Sequence, residues 1–234
     1  MEDTPSVWER PEPPERRAPS PLSRERIVRA ALTLADAEGI EAVSLRKVAA
    51  ALDAGPMRLY RYIGTKDELL ELMVDAVYAE LPPPTGSGWR EVAASFAHEI
   101  RAAGLRHEWF IDLLDGRPRL GPATLAHSEA TLSALRAAGL ENIDMIMSTI
   151  EVLTVYLIGA VRREVGEHRA ERASGLTQRE WQHSRAPHLL AMLATGNYPI
   201  LAEAVHDAQH RDPSQKFELG LGYLLDGISK RLKA

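Results

Sequence analysis

Residues 43–66, VSLRKVAAALDAGPMRLYRYIGTK, admit few arrangements. Leu45, Val48, Ala49 and Leu52 fall at i, i+3, i+4 and i+7, which is one apolar stripe on a short helix. Ser44 precedes it, where a side-chain oxygen can cap free backbone N–H groups. Asp53-Ala54-Gly55 has turn composition, and Pro56 stands at the first position of a second helix over residues 57–63. Only Leu59 and Ile63 suit the inside of that second helix. Met57, Arg58, Tyr60, Arg61 and Tyr62 interleave cations with aromatics on a segment too short to have its own core.

Two short helices joined by a tight turn make a helix-turn-helix, expected here over residues 44–63, and its second helix is the one that enters a major groove. From Ser44 to Lys66 there are five cations, Arg46, Lys47, Arg58, Arg61 and Lys66, against Asp53, while the whole chain carries −5. A basic island in an acidic protein is an electrostatic footprint for phosphate, confined to one patch. The competing reading is a solvated helix pair in an all-α protein. Tyr60 and Tyr62 weigh against it, because two exposed phenols need a reason and phenolic hydroxyls donate well to phosphate oxygens.

The rest of the chain reads as all-α. Hydrophobic residues make up 45% and aromatics only 6%, with alanine and leucine dominant, which favours helix over strand. No cysteine is present, so disulfides and thiolate chemistry are excluded. No basic, apolar leader opens the chain, and a cytoplasmic, soluble protein is expected. Residues 1–21 hold six prolines and mixed charge, and are expected to form a disordered tail. Ser23 caps a helix that Gly39 ends. Thr65-Lys66-Asp67-Glu68 has the form of a capping box and opens a further helix that Pro82-Pro83-Pro84 stops. These features define a small domain over residues 22–81, with residues 82–234 as a second.

Helix, glycine, helix-turn-helix, then Leu59-Tyr60-x-Tyr62-Ile63 and Lys66-x-x-Leu69-Leu70 resemble the DNA-binding domain of the tetracycline-repressor (TetR) family of bacterial transcriptional regulators. The family usually carries glycine where Asp53 stands, and Asp is among the residues that tolerate a left-handed backbone. The resemblance implies roles by position. Ser44 and Arg46 approach the phosphate backbone and an outer base. Pro56, Met57, Arg58 and Arg61 face the groove, with the two arginines suited to guanine O6 and N7. Tyr60 and Tyr62 contact phosphate, as does Lys66 at the start of the next helix.

In the carboxy-terminal part, residues 142–169 form the longest expected helix, apolar nearly all round between Ile150 and Val161. Asp144, Ser148, Thr149, Glu151 and Thr154 interrupt it, so it is not read as a membrane span. Asp212-Pro213 starts a last helix with a stripe from Phe217 to Leu232. Excess apolar surface on both helices points to a homodimer through residues 142–169 and 212–233, which would set two readers on a twofold operator. The alternative is ordinary monomer core.

Residues 116–166 further resemble the ligand-binding domain of the tetracycline repressors, through Leu120-Gly121-Pro122, Leu135-x-x-x-Gly139 and Tyr156-x-x-Gly159. Arg119 stands in place of the histidine that binds drug-chelated metal there, and Arg163 in place of its glutamate partner. Arginine does not ligate metal, so no metal or other cofactor is expected, and an anionic group suits the two arginines if they face a cavity. Candidate pocket residues for a small-molecule effector are Trp109, His127, Met145, Tyr156, Trp181, His188 and Met192. A helical histidine is more often a core or surface residue, and methionines are usually core filler. His206 and His210, at i and i+4, are a conceivable surface metal pair. No His-Glu-x-x-His, Gly-x-Ser-x-Gly or phosphate loop supports an enzyme. The reading is a regulator released from double-stranded operator DNA by an effector, with an effector-independent DNA-binding regulator as the alternative.

Overall fold

The computed structural model describes residues 6–13, 22–116, 118–209 and 211–232. Eleven α-helices and no strand occur among the described residues. They divide into two compact units, Met1–Ile158 and Gly159–Ala234. The division falls inside one helix and not at residue 81, where the helix-turn-helix domain was expected to end.

In the first unit, α1 (Arg24–Glu38) starts where Ser23 accepts a bond from the Arg26 N–H at 3.2 Å. A single 3-10 turn, Ile40–Ala42, leads to α2 (Leu45–Ala51), and Ser44 caps α2 by accepting from the Lys47 N–H. Next come α3 (Pro56–Leu59) and α4 (Lys66–Tyr78). Ile27, Val48, Leu59, Ile63, Leu69 and Met73 are fully buried together. Each such side chain contributes about 1.5–3 kcal/mol of burial free energy. Leu59 and Ile63 are thus the anchors of the second helix, as their spacing predicts. The helix itself is shorter than residues 57–63: it closes after Leu59, and the Tyr62 and Ile63 N–H groups both bond to the Leu59 carbonyl at 2.8 and 2.9 Å.

Residues 6–13 depart from the expected disordered tail. Val7 is buried in the same core at 1% exposure, and Trp8 packs against it. Arg10 pairs with Glu68, and the Glu12 carboxylate accepts from the Arg24 N–H at 2.6 Å. Because Glu68 is engaged there and also accepts from the Gly64 N–H at 2.7 Å, the Thr65–Glu68 signature is only half a capping box. The Thr177–Glu180 signature, with no such competitor, forms the complete box.

The wall behind the reader is built from α5 (Trp89–Arg106), α6 (Phe110–Leu113) and α7 (Pro122–Ala137). Helix α4 packs on α6 and α7, and α5 on both. Helix α8 (Ile143–Ser174) runs five residues past its expected end and stops at Gly175, φ 70°. It is long and apolar enough to cross a membrane by composition. Its stripe Ile146, Leu153, Leu157, Val161 and Val165 is buried in protein instead.

In the second unit, α9 (Gln178–Leu193) continues through Pro187, a residue type that commonly kinks or ends a helix. It is followed by α10 (Pro199–Asp207), which no sequence signal flagged, and α11 (Pro213–Leu232).

Candidate DNA interface and ligand cavity

The α2–α3 unit presents a cationic face. Met57 is 77% exposed and Tyr60 50%, and Arg46, Pro56, Arg58, Arg61 and Lys66 are exposed beside them. Lys47 is held by Glu38 at 3.0 Å. The side chains of Arg46, Arg58, Arg61 and Lys66 make no hydrogen bond or ion pair among the described residues. Four uncompensated cations around an exposed methionine and phenol form a surface suited to phosphate oxygens and groove edges.

Tyr62 corrects the expectation of two exposed phenols. Its side chain is 8% exposed and belongs to the core, while its carbonyl accepts from Arg24 Nε at 3.2 Å. After the helix closes at Leu59, Tyr62 lies on the same inner side as Ile63. Ser44 is half-buried, with its hydroxyl engaged in the α2 cap.

The turn ahead of α3 contains Asp53 at φ 49°, among the described residues the one non-glycine with positive φ. It takes the left-handed conformation that aspartate is among the few residue types to tolerate.

A cavity of about 530 Å³ lies in the first unit. Val74 and Tyr78 of α4, Phe96 and Ile100 of α5, Leu113 of α6, Thr124 of α7 and Leu157 of α8 line it. A volume of this size suits a drug-sized molecule, and the walls are mainly apolar and aromatic, as ligand sites are. Burial pushes the Tyr78 hydroxyl up to about 12, so the phenol stays neutral. Arg119 also lines the cavity; Arg163 does not.

The candidate pocket residues separate. His127 does not line this cavity: it is 6% exposed and packs behind two residues that do, its ring 5.5 Å from the Tyr78 ring and 6.1 Å from that of Phe96. Trp109 does not line it: it is buried in the core, and its Nε1–H donates to Asp36 at 2.7 Å. Met145 and Tyr156, both half-buried, line neither this cavity nor the second. Trp181, His188 and Met192 come together in the second unit along a more open groove of about 700 Å³ between α9 and α10. His210 lies outside the described residues, and no group of three or more metal-ligating side chains gathers among the described ones. Tyr78, Phe96 and Thr124 escaped sequence reading because they sit on ordinary amphipathic helices. Only the packing of five helices turns those faces toward a common space.

Comparison with known proteins decides the family. Residues 27–73 match the model for bacterial regulatory proteins of the tetR family, and residues 81–232 match the tetracyclin repressor-like carboxy-terminal domain. The chain belongs to the TetR family. Among its relatives, the HTH-type transcriptional repressor DrrR1 of Streptomyces coeruleorubidus is 38% identical over 225 residues, covering 95% of this chain and 83% of the relative. The class A tetracycline repressor from transposon 1721 of Escherichia coli is 26% identical, covering 90% and 92%. Among solved structures, the TetR family protein ActR of Streptomyces coelicolor in complex with actinorhodin superposes with a TM-score of 0.74 at 29% identity, over 90% of this chain and 96% of ActR. Its complex with (S)-DNPA gives 0.72 at 27%, over 89% and 98%. This TetR-family chain is therefore a DNA-binding transcriptional repressor of the ligand-responsive type. As in the family, operator DNA and a small-molecule effector are its classes of partner, and it acts as a dimer.

Proposed function

We propose that residues 22–81 read the operator and residues 82–234 receive the effector and pair two chains. Arg46, Arg58, Arg61 and Lys66, with Met57, Tyr60 and the Pro56 turn, meet the duplex, while Ser44 and Tyr62 hold the reader in shape from behind. The observation that carries this reading is the set of four unpaired cations around exposed Met57 and Tyr60. Dimerisation runs through α8 and α11, which leave Ile143, Met147, Val152 and Tyr223 exposed; residue 233 of the expected interface lies outside the described residues. The effector occupies the cavity lined by Tyr78 and Phe96. That two different small molecules are bound by ActR supports a ligand-occupied regulatory domain here. Two readers on a twofold axis call for a palindromic operator in cytoplasmic DNA.

Selection from a random duplex library, followed by anisotropy titration at several salt concentrations, tests the reading. A palindrome is expected, with affinity falling steeply as salt rises. Arg58→Ala and Arg61→Ala should each cost about 1–3 kcal/mol and relax specificity at one position. A protein that selects no sequence at low salt, or keeps its preference in the Arg58→Ala/Arg61→Ala double variant, would not be reading DNA with this face.

A further inference from the structure

The polar groups around the first cavity are unevenly satisfied. Thr124 Oγ1 donates to Asp75 at 3.0 Å, and Ser128 Oγ donates to the Thr124 carbonyl at 2.8 Å. Both hydroxyl protons are therefore used inside the protein. Arg119 is different. It lines the same cavity, its Nε is shielded from solvent with no acceptor, and no ion pair holds its guanidinium among the described residues. Glu151, the acidic residue in the wall, is exposed and does not pair with it. Behind the lining residues Tyr78 and Phe96, His127 Nε2 is also buried without a partner. Burial holds that imidazole below its ordinary pKa, so at neutral pH it offers one N–H and one lone pair.

A guanidinium partly withdrawn from water in a cavity whose walls include Val74, Phe96 and Ile100 loses hydration and gains nothing in return. An acceptor oxygen carrying negative charge restores the balance, and the planar fork of arginine suits a carboxylate through two parallel bonds. The aromatic walls accept a flat apolar body. We propose that the effector is a planar, largely apolar molecule bearing an ionised acidic group such as a carboxylate, and that Arg119 is the residue that binds that group. This rests on the reading of the cavity as the effector site and adds the chemical class of what enters it.

The test uses the full chain and matched probes: anthraquinone-2-carboxylate, 9-anthracenecarboxylate and their methyl esters, titrated by calorimetry at pH 7.5. In the wild type the acids should bind at least ten-fold more tightly than the esters. Arg119→Met should bring that ratio to about one. Arg119→Lys should keep part of it, and Arg119→Gln gives a second neutral variant should Arg119→Met fail to fold. Esters that bind as well as acids, acids that do not bind, or an acid preference that survives in both neutral variants would overturn the proposal. Release of bound operator is scored separately. Acid binding through Arg119 with the operator complex intact supports the anion contact and removes the effector role of the cavity. Release without acid preference does the reverse.

Discussion

Asp75 of α4 caps α7, a helix to which it does not belong. Its Oδ1 accepts from the Thr124 backbone N–H at 2.8 Å and from the Thr124 hydroxyl at 3.0 Å. The N-cap position itself is Gly121, which has no side chain to offer. A Cβ there would collide with Asp75 Oδ1, so glycine is what lets α4 come close enough to cap α7. One helix thereby connects three things. Its start carries Lys66 of the reader, its middle caps α7, and its end places Tyr78 in the cavity wall.

Gly121→Ala should destabilise the protein by about 1–3 kcal/mol, because Asp75 is fixed by its own bonds and cannot yield without losing them. Asp75→Ala should cost about 1–2 kcal/mol as the loss of a helix cap. The double variant should cost less than the sum, since both changes break one contact. Urea denaturation measures all three, and additivity would show that the two residues act separately.

Trp109→Phe should lower stability by about 1–2 kcal/mol while leaving effector affinity unchanged, because removing the indole N–H leaves a part-buried carboxylate short of one donor. That N–H bonds to Asp36 at the end of α1, which His107 Nδ1 also contacts at 2.9 Å. Calorimetric titration of the variant with a ligand that binds the wild type is the check, and a large loss of affinity would return Trp109 to the pocket.

Asp53 occupies φ 49° in the turn before α3. Asp53→Val should therefore cost about 1–2 kcal/mol, since a β-branched residue is strained there, whereas Asp53→Gly should stay within about 1 kcal/mol of the wild type. Operator affinity should follow the same order, because the turn sets the angle of α3. Thermal melts and anisotropy titrations test the two halves of this expectation.

The amino-terminal segment clips the reader from behind. Deleting residues 1–13 removes buried Val7 and the Arg10–Glu68 pair, and should cost about 1.5–3 kcal/mol from the valine alone. Val7→Ala should reproduce part of the loss. A truncated chain as stable as the full one would mean the clip holds nothing.

His127 gives the protein a specific sensitivity to acid. Burial lowers its pKa from the ordinary 6.5, so the unfolded chain binds this proton more readily than the folded one. Its contribution is therefore fully present above about pH 6.5 and is lost as pH falls through the folded value. His127→Leu should show a smaller stability loss than the wild type between pH 7.5 and 5.5 in denaturation curves. Glu91 and Glu180, whose hydrogen bonds to Ser87 and Thr177 hold them below the ordinary 4.5, act only in a more acidic range. Parallel pH profiles for wild type and variant would remove His127 from this role.

Local chemistry alone determined most helix starts and the inner face of the reader. Ser23, Ser44 and Thr65 announce helix starts, Pro56 and Pro213 stand at first turns, and Leu59 and Ile63 mark an inner face, because capping and periodicity act over a few residues. Tertiary packing decided which side chains share a space. Tyr62 turns inward because α3 closes early, Trp109 meets Asp36 across 73 residues of chain, and Tyr78, Phe96, Arg119 and Leu157 surround one cavity although no motif links them. Contacts between residues far apart in sequence depend on how whole helices pack, and no short stretch of the chain encodes that.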